Sequence, residues 1–313
     1  MSKQTRVDNF NNWPESKLFE AEIKFNKKLE DFKDKDLFKP CLIKNNNNKN
    51  LHIVISYLLD MVDSLPKRPD HSFDWCWKAF EHIATKKTNQ NITDSLRTII
   101  ENTLLPILNQ NNDLRKQLFN LIENIPLQTC EYLLKKILEN GNFRLSANFN
   151  SFTRRLLTKN GNQNIISNLN IQKLFIFICK KYNFNDNVKR RKGASLIKKA
   201  LQGKNIEINL GENEIDKENL ELKDNDILLI LLSGISYSFR NDRTHAESIS
   251  PFRSSTAKLK TYAHCWFLFL FIYEILNICF INSDILENDI QLADNIKLNN
   301  ECYLKLFKSQ LGK

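Results

Sequence analysis

The run Tyr262–Phe280 gives a helix almost no polar side to turn toward water. Trp266, Phe269, Leu270, Tyr273, Leu276 and Phe280 spread around its whole circumference. Such a helix must be covered on every side. One protomer's own core uses one face, so a second copy of the chain is an economical cover for the rest. Cys265–Ile281 is also the best membrane candidate, but Glu274 and Asn277 interrupt it and it is short for a span. A buried helix is the expectation. A second run, Ile227–Leu232, is apolar all round and should be buried too. Asp224, Asn225 or Asp226 is placed to cap it, and Ser255 or Thr256 to cap the Tyr262–Phe280 helix.

Between the two runs stands Phe239-Arg240-Asn241-Asp242-Arg243-Thr244-His245. Desolvating two guanidiniums, an amide and an imidazole costs several kcal/mol, on the order of 2–7 for each unpaired polar group. The simplest arrangement lets them line a cleft. Residues five apart on an ideal helix point about 140° away from each other. Arg240 and His245 therefore share a cleft only if the helix ends or distorts within Asn241–Thr244, whereas Asn241 and His245, four apart, share a face.

The remainder of the composition favours an all-α fold. Seven Gly and seven Pro in 313 residues are few, and Leu, Ile, Lys, Glu and Asn recur at helical spacing. A chain of this length can bury a large core and hold two domains. The formal net charge of +10 favours polyanions, nucleic acid among them. Seven scattered cysteines with no C-x-x-C pair, several inside apolar runs, suggest free thiols in a reducing cytoplasm. Met1–Asp8 has no apolar core of the kind a signal peptide carries.

Taken in order, residues 1–14 read as an arm, with Trp13-Pro14 opening a helix over Ser16 to about Lys35. Leu51–Leu65 is a helix closed by Pro66, and Lys67–Asp70 is a turn. Phe73–Ile83 is dense in aromatics. Trp75, Trp77, Phe80 and Ile83 suit base stacking, but helix-spaced aromatics are more often core. His71, His82 and His264 read as structural. Helices follow over 92–109, kinked at Pro106, then 113–124 and 127–139, with Asp94, Asp113 and Gln128 as openers. Asn142–Asn170 is polar and broken, punctuated by Gly141 and Gly161. It holds a short helix around Phe152–Leu157 and marks a boundary near residue 150. Ile171–Tyr182 resumes a buried helix. Lys189, Arg190, Arg191 and Lys192 open the densest basic run, which fits phosphate binding and a solvated helix face equally. Residues 205–225, with Glu212, Glu214 and Asp216, read as a solvated loop. Asp284–Leu311 reads as one or two amphipathic helices.

The Arg240-Asn241-x3-His245 spacing, the flanking apolar helices and the Pro251–Ser255 turn resemble the HEPN superfamily over about residues 226–281. These are all-helical nucleotide-binding proteins, many of them ribonucleases. The resemblance implies a helical bundle of HEPN type over residues 151–313, with residues 1–150 as an additional N-terminal helical region. The helices around 51–87 are possible contributors to its core. It implies Arg240, Asn241 and His245 as catalytic residues, no cofactor, and a homodimer in which two motifs meet. It also implies a setting in phage defence or a toxin system, with an antitoxin or defence protein as a further partner.

The residue types suit that chemistry. Histidine carries protons near neutral pH. Arginine donates several hydrogen bonds to a phosphate and stays charged. Arg243 and Arg253 are further phosphate-binding candidates. The expected activity is metal-independent endoribonuclease cleavage by 2′-hydroxyl attack. A non-catalytic RNA- or nucleotide-binding relative, and a helical adaptor of a neighbouring enzyme, stay open as alternatives.

Overall fold

The computed structural model describes residues 2–15, 17–32, 36–45, 47–141, 143–144, 149–159, 166–211, 217–246 and 249–312. Met1, Ser16, Lys35, Asn142, Gly161, Glu212, Glu214 and Asp216, named above, lie outside them.

The fold is mostly helical, as the periodicity requires. The N-terminal stretch is itself a helix, α1 (Ser2–Asn11), rather than an extended arm. Trp13-Pro14 follows it in a turn, and α2 (Glu20–Asp31) opens later, where Glu22 accepts from the Phe19 N–H. α3 (Lys49–Asp63) and α4 (Pro69–Thr88) pack side by side as a hairpin. Pro69 starts α4, so the expected turn at 67–70 already contains its first residues. The sequence Asp70–Ala84 then turns Phe73, Cys76, Trp77 and Phe80 into the core.

α5 (Ile92–Ile99) and α6 (Leu105–Gln110) form one rod joined by a π-helical turn, Ile100–Leu104. The rod does not break at Pro106. Proline offers no N–H, and the wide turn ahead of it takes up the misfit. Asparagines cap the next starts where aspartates were expected. Asn91 accepts from the Asp94 N–H, and Asn111 accepts from the Leu114 N–H at the head of α7 (Asn112–Glu123). α8 (Leu127–Asn140) opens behind Pro126, one residue ahead of Gln128.

α9 (Ser151–Leu157), α10 (Leu169–Lys181) and α11 (Asn187–Leu201) follow. Gly193 brings α11 close to α8, since a Cβ there would meet a Leu134 methyl at 3.1 Å. The segment expected as a solvated loop instead pairs with itself: β1 (Ile206–Asn209) runs antiparallel to β2 (Lys217–Leu220), Ile206 opposite Leu220. Alternation explains it, because Ile206 and Ile208 point into the core while Glu207 faces water.

α12 (Asp224–Leu229) and α13 (Tyr237–Thr244) are joined by a second π-helical stretch, Ile230–Ser236. The Asp226 carboxylate caps this rod from inside, accepting from the Lys223 N–H. α14 (Leu259–Phe280) begins beyond Ser255 and Thr256, and Thr261 Oγ1 accepts from the Lys258 N–H in their place. The tail contributes α15 (Leu292–Phe307).

Every residue of α14 from Thr261 to Phe280 is buried. Helices of the same chain cover it: α4 above all, with α2, α7, α8 and α15 around the rest. The expectation that a second copy covers this helix therefore does not hold. α14 is the one helix among the described residues long and apolar enough to cross a membrane, and its apolar stretch is buried inside the fold. One continuous core joins helices on both sides of residue 150. The seven cysteines are free thiols.

One buried group in α14 has an uneven environment. Glu274 is 1% exposed, and neither carboxyl oxygen finds a hydrogen-bond partner among the described residues. Burial raises its pKa well above the ordinary glutamate value, against a small opposing effect of the nearby Asn300 amide. The folded state therefore holds the acid neutral, while the unfolded chain ionises it above its ordinary value. Stability is lost as pH rises from there toward the folded pKa. Glu274→Gln should raise the urea midpoint at pH 7 and leave it at the wild-type value near pH 4. Equal midpoints at both pH values would contradict a neutral buried acid.

Candidate functional site

The polar interruption between the two apolar rods becomes α13, and Asp242, Arg243 and Arg240 are each tied to a different partner. The π-helical stretch before it holds one residue more per turn than an α-helix, which rotates all that follows. Phe239 faces inward, packed edge-on against Phe73 and His264 with centroids 5.1 and 5.3 Å away. Asp242 accepts from Tyr132 Oη at 2.9 Å and Lys136 Nζ at 2.7 Å, tying α13 to α8. Arg240 and Arg243 turn the other way, toward α4.

Arg243 meets two carboxylates. Its Nε donates to Asp74 Oδ1 at 2.8 Å, and its Nη1 lies 3.1 Å from Asp70 Oδ2. Asp70 is fully buried and also takes a two-pronged bond from Arg68, at 2.9 and 2.8 Å. Two cations and two anions thus close a neutral quartet. Burial pushes the Asp70 carboxyl up, but the hydrogen bonds and charge of Arg68, with the charge of Arg243, outweigh it and hold the group below the usual aspartate range. Burial opposes the Arg243 charge, and Asp74 and Asp70 more than restore it.

Arg240 is held more loosely. Its Nη2 is 3.4 Å from Glu81 Oε2, the oxygen that also accepts from Trp77 Nε1 at 2.9 Å. Its Nη1 donates to Asn241 Oδ1 at 3.1 Å. The neighbouring amide thus steadies the arginine, and its oxygen does not engage His245.

Between α4 and α13 lies an open cleft of about 460 Å³. His71, Asp74 and Lys78 line it from α4, and Arg240, Arg243 and Thr244 from α13. Ala246 and Ser250 close its far side. His71 enters with a defined proton. Arg68 Nη2 sits 2.5 Å from His71 Nε2, and since arginine only donates, that nitrogen accepts and the ring proton stays on Nδ1. Burial and the charges of Arg68 and Arg243 lower its pKa against the pull of Asp70 and Asp74, which favours the neutral ring.

α13 ends at Thr244, as the motif spacing required, with His245 as its C-cap. The His245 N–H donates back to the Asn241 carbonyl at 2.9 Å, and the side chain is exposed. Ala246 then takes a left-handed conformation, φ 54°, where glycine is usual. That reversal turns the chain sharply just past the histidine. His245 itself is not part of the cleft wall, although the residues on either side of it are.

The other sequence candidates scatter. Arg253 pairs with Glu22 at 3.0 Å and lies over Phe19, against α2. Lys189, Arg191 and Lys192 are exposed on α11, across α8 from α13. Arg190 leans on Phe184 and lies 3.9 Å from Glu131. Arg243 is corrected from a phosphate donor to a structural cation, because each of its three nitrogens already lies against a carboxylate. Trp77 and Phe80 are core residues. His264 is structural as expected: it is fully buried, bonded to Thr129 Oγ1 at 2.9 Å, and burial lowers its pKa to about 3.

Asp74, Lys78 and Glu81 escaped the sequence reading, and His71 was read there as structural although it lines the cleft, because all four lie some 160 residues upstream of the motif. A signal existed. Asp70 and Asp74 stand one turn apart on a helix otherwise rich in aromatics, and buried acids need cations from elsewhere. The chain has no match among known protein families, curated proteins or solved structures.

Asp70→Asn should destabilise the fold by about 3–5 kcal/mol at neutral pH, the usual cost of breaking a buried ion pair. The sign with pH follows from the lowered folded pKa. The contribution of Asp70 is present above the ordinary aspartate value and is lost as pH falls through the lower, folded one. Denaturation midpoints of wild type and variant should therefore converge below about pH 4. A constant gap down to acid pH would show that the carboxylate charge is not what holds α13.

Proposed function

We propose that the protein is a metal-independent endoribonuclease of HEPN type that cuts RNA by attack of a 2′-hydroxyl on the adjacent phosphodiester. The observation that carries the reading is a cation-lined cleft at the end of α13, with an exposed imidazole at its lip. Arg240 and Lys78 are the cleft's available cations. Arg240 has one long carboxylate contact, to Glu81, and the Lys78 ammonium lies over the Trp75 ring. Both suit the oxygens of a phosphorane, whose negative charge grows in the transition state.

In this mechanism His245 takes the proton of the 2′-hydroxyl. The hydroxyl oxygen attacks phosphorus, the bond to the 5′-oxygen breaks, and that oxygen leaves with a proton. The products are a 2′,3′-cyclic phosphate and a 5′-hydroxyl. Asn241 keeps the Arg240 guanidinium in place through its amide oxygen. Neutral His71 can donate from Nδ1 to a phosphate oxygen but carries no spare proton for the leaving group. A second imidazole for that step would come from a second copy of the chain, as the resemblance implies. The setting in phage defence or a toxin system, with an antitoxin or defence-system partner, rests on the same resemblance.

One observation favours a second reading, a non-catalytic RNA- or nucleotide-binding protein. His245 stands beside the cleft rather than in its wall, so the cleft can hold a phosphate without delivering a base to it.

The full-length protein incubated with single-stranded RNA in the presence of a chelator should generate 2′,3′-cyclic phosphate and 5′-hydroxyl ends. Arg240→Ala and His245→Ala should each lower the rate at least about 100-fold, the typical contribution of a positioned proton carrier or oxyanion donor. Undiminished cleavage by both variants would sink the nuclease reading. RNA binding without cut ends, with or without divalent metal, would select the binding protein.

A further inference from the structure

We propose that Trp75 and Tyr57 form a stacking floor for one unpaired nucleobase, set beside the phosphate-binding cleft and uncovered when Lys78 moves from the rings to that nucleotide's phosphate. The inference rests on the reading of the cleft as an RNA site. It adds to that reading a base-binding subsite, and with it the means to prefer single-stranded over duplex RNA.

The geometry begins with the register of α4. At 100° per residue, positions 71, 74, 75 and 78 fall within about 100° of the helix circumference. His71, Asp74 and Lys78 of that set line the cleft. Trp75 stands next to His71 and Lys78 on that circumference, outside the cleft wall, and it is half-buried; the tryptophan in the wall itself is Trp77, whose ring is otherwise buried in the core with Phe73 and Phe80.

Tyr57 of α3 lies beside it. The two ring centroids are 6.1 Å apart and the planes differ by 16°. Parallel rings at that separation are strongly offset. The Lys78 ammonium lies 4.0 Å from the Trp75 centroid and 5.8 Å from that of Tyr57. The same cation thus lies near both rings of this offset stacked pair and closest to the face of Trp75, which is the surface a base would take when the ammonium leaves.

The cover is removable. Lys78 is exposed, and its contact to the rings is a cation–π interaction at a wet site, weaker than stacking of a nucleobase on the same surface. Its side chain also reaches the cleft. Leaving the rings for a phosphate exchanges a weak contact for a charge-assisted one. A flat cation would also suit aromatic rings, but Arg240 and Lys78 beside the floor, in a chain of net charge +10, repel it. A base that carries its own phosphate satisfies both halves of the site.

The test uses the full-length protein, a short single-stranded oligodeoxyadenylate, which lacks the 2′-hydroxyl and cannot be cut, and an abasic strand of equal length. Wild type should bind the first more tightly than the second. Trp75→Ala should weaken the oligodeoxyadenylate about tenfold, leave the abasic strand unchanged and keep the salt slope. Trp75→Phe retains a ring and should keep most of the affinity, while the quenching of tryptophan emission on binding disappears. Arg240→Ala should weaken both strands and flatten the salt slope by about one. Wild-type affinity and discrimination in Trp75→Ala, or quenching that survives in Trp75→Phe, would overturn the stacking floor alone. Wild-type binding of both strands by Arg240→Ala would instead overturn the phosphate reading on which it rests.

Discussion

A fully buried aspartate between two guanidiniums determines where the candidate site can be. Asp70 has no contact with water, and its two oxygens are shared between Arg68 and Arg243. An isolated carboxylate could not stay ionised there. The pairing therefore favours the docking of α13 on α4: separating the helices would leave Arg243 without either carboxylate and Asp70 with Arg68 alone. Asp74 completes the neutrality, and the remaining motif arginine, Arg240, is left at the cleft edge with one long contact to the Glu81 carboxylate and a hydrogen bond to the Asn241 amide. Two arginines three residues apart thus have opposite duties, one tying helices together and one facing solvent.

The second constraint is α14. A helix with no polar face can exist only in the middle of something, and here the same chain wraps it completely. Its burial fixes α4 against it on one side and brings α8, α2 and α15 to the others. The α4 surface turned away from α14 is where His71, Asp74, Trp75 and Lys78 emerge. Core packing thus decides which face of α4 remains for a ligand, and α13 walls that face. The π-helical stretch ahead of α13 adds the last adjustment, since an extra residue in the turn changes the direction in which each side chain of the motif points.

Legibility followed the range of the interactions. The motif residues, the end of the helix at Thr244 and the structural role of His264 came from local spacing and burial tendency. The hairpin at β1 and β2 was misread because a charged stretch hid a short alternation of Ile206, Ile208 and Leu220. Aspartates were favoured as caps where asparagines two or three residues earlier did the work. Both errors concern residues whose competing choices differ by about 1 kcal/mol or less, which a single sequence does not resolve.

By itself the sequence determined the helical class, the burial of the two apolar runs and the presence of a polar break between them. These follow from periodicity and from the cost of exposing hydrocarbon, which act on neighbours in the chain. Only the tertiary structure decided that Arg243 is a tie rather than a ligand-binding group, that His71 and Lys78 share a cleft with Arg240, and that α14 is covered by its own chain. Each depends on which distant carboxylate or ring lies within a few ångströms, and ion pairing and packing between elements far apart in sequence leave no periodic trace along it.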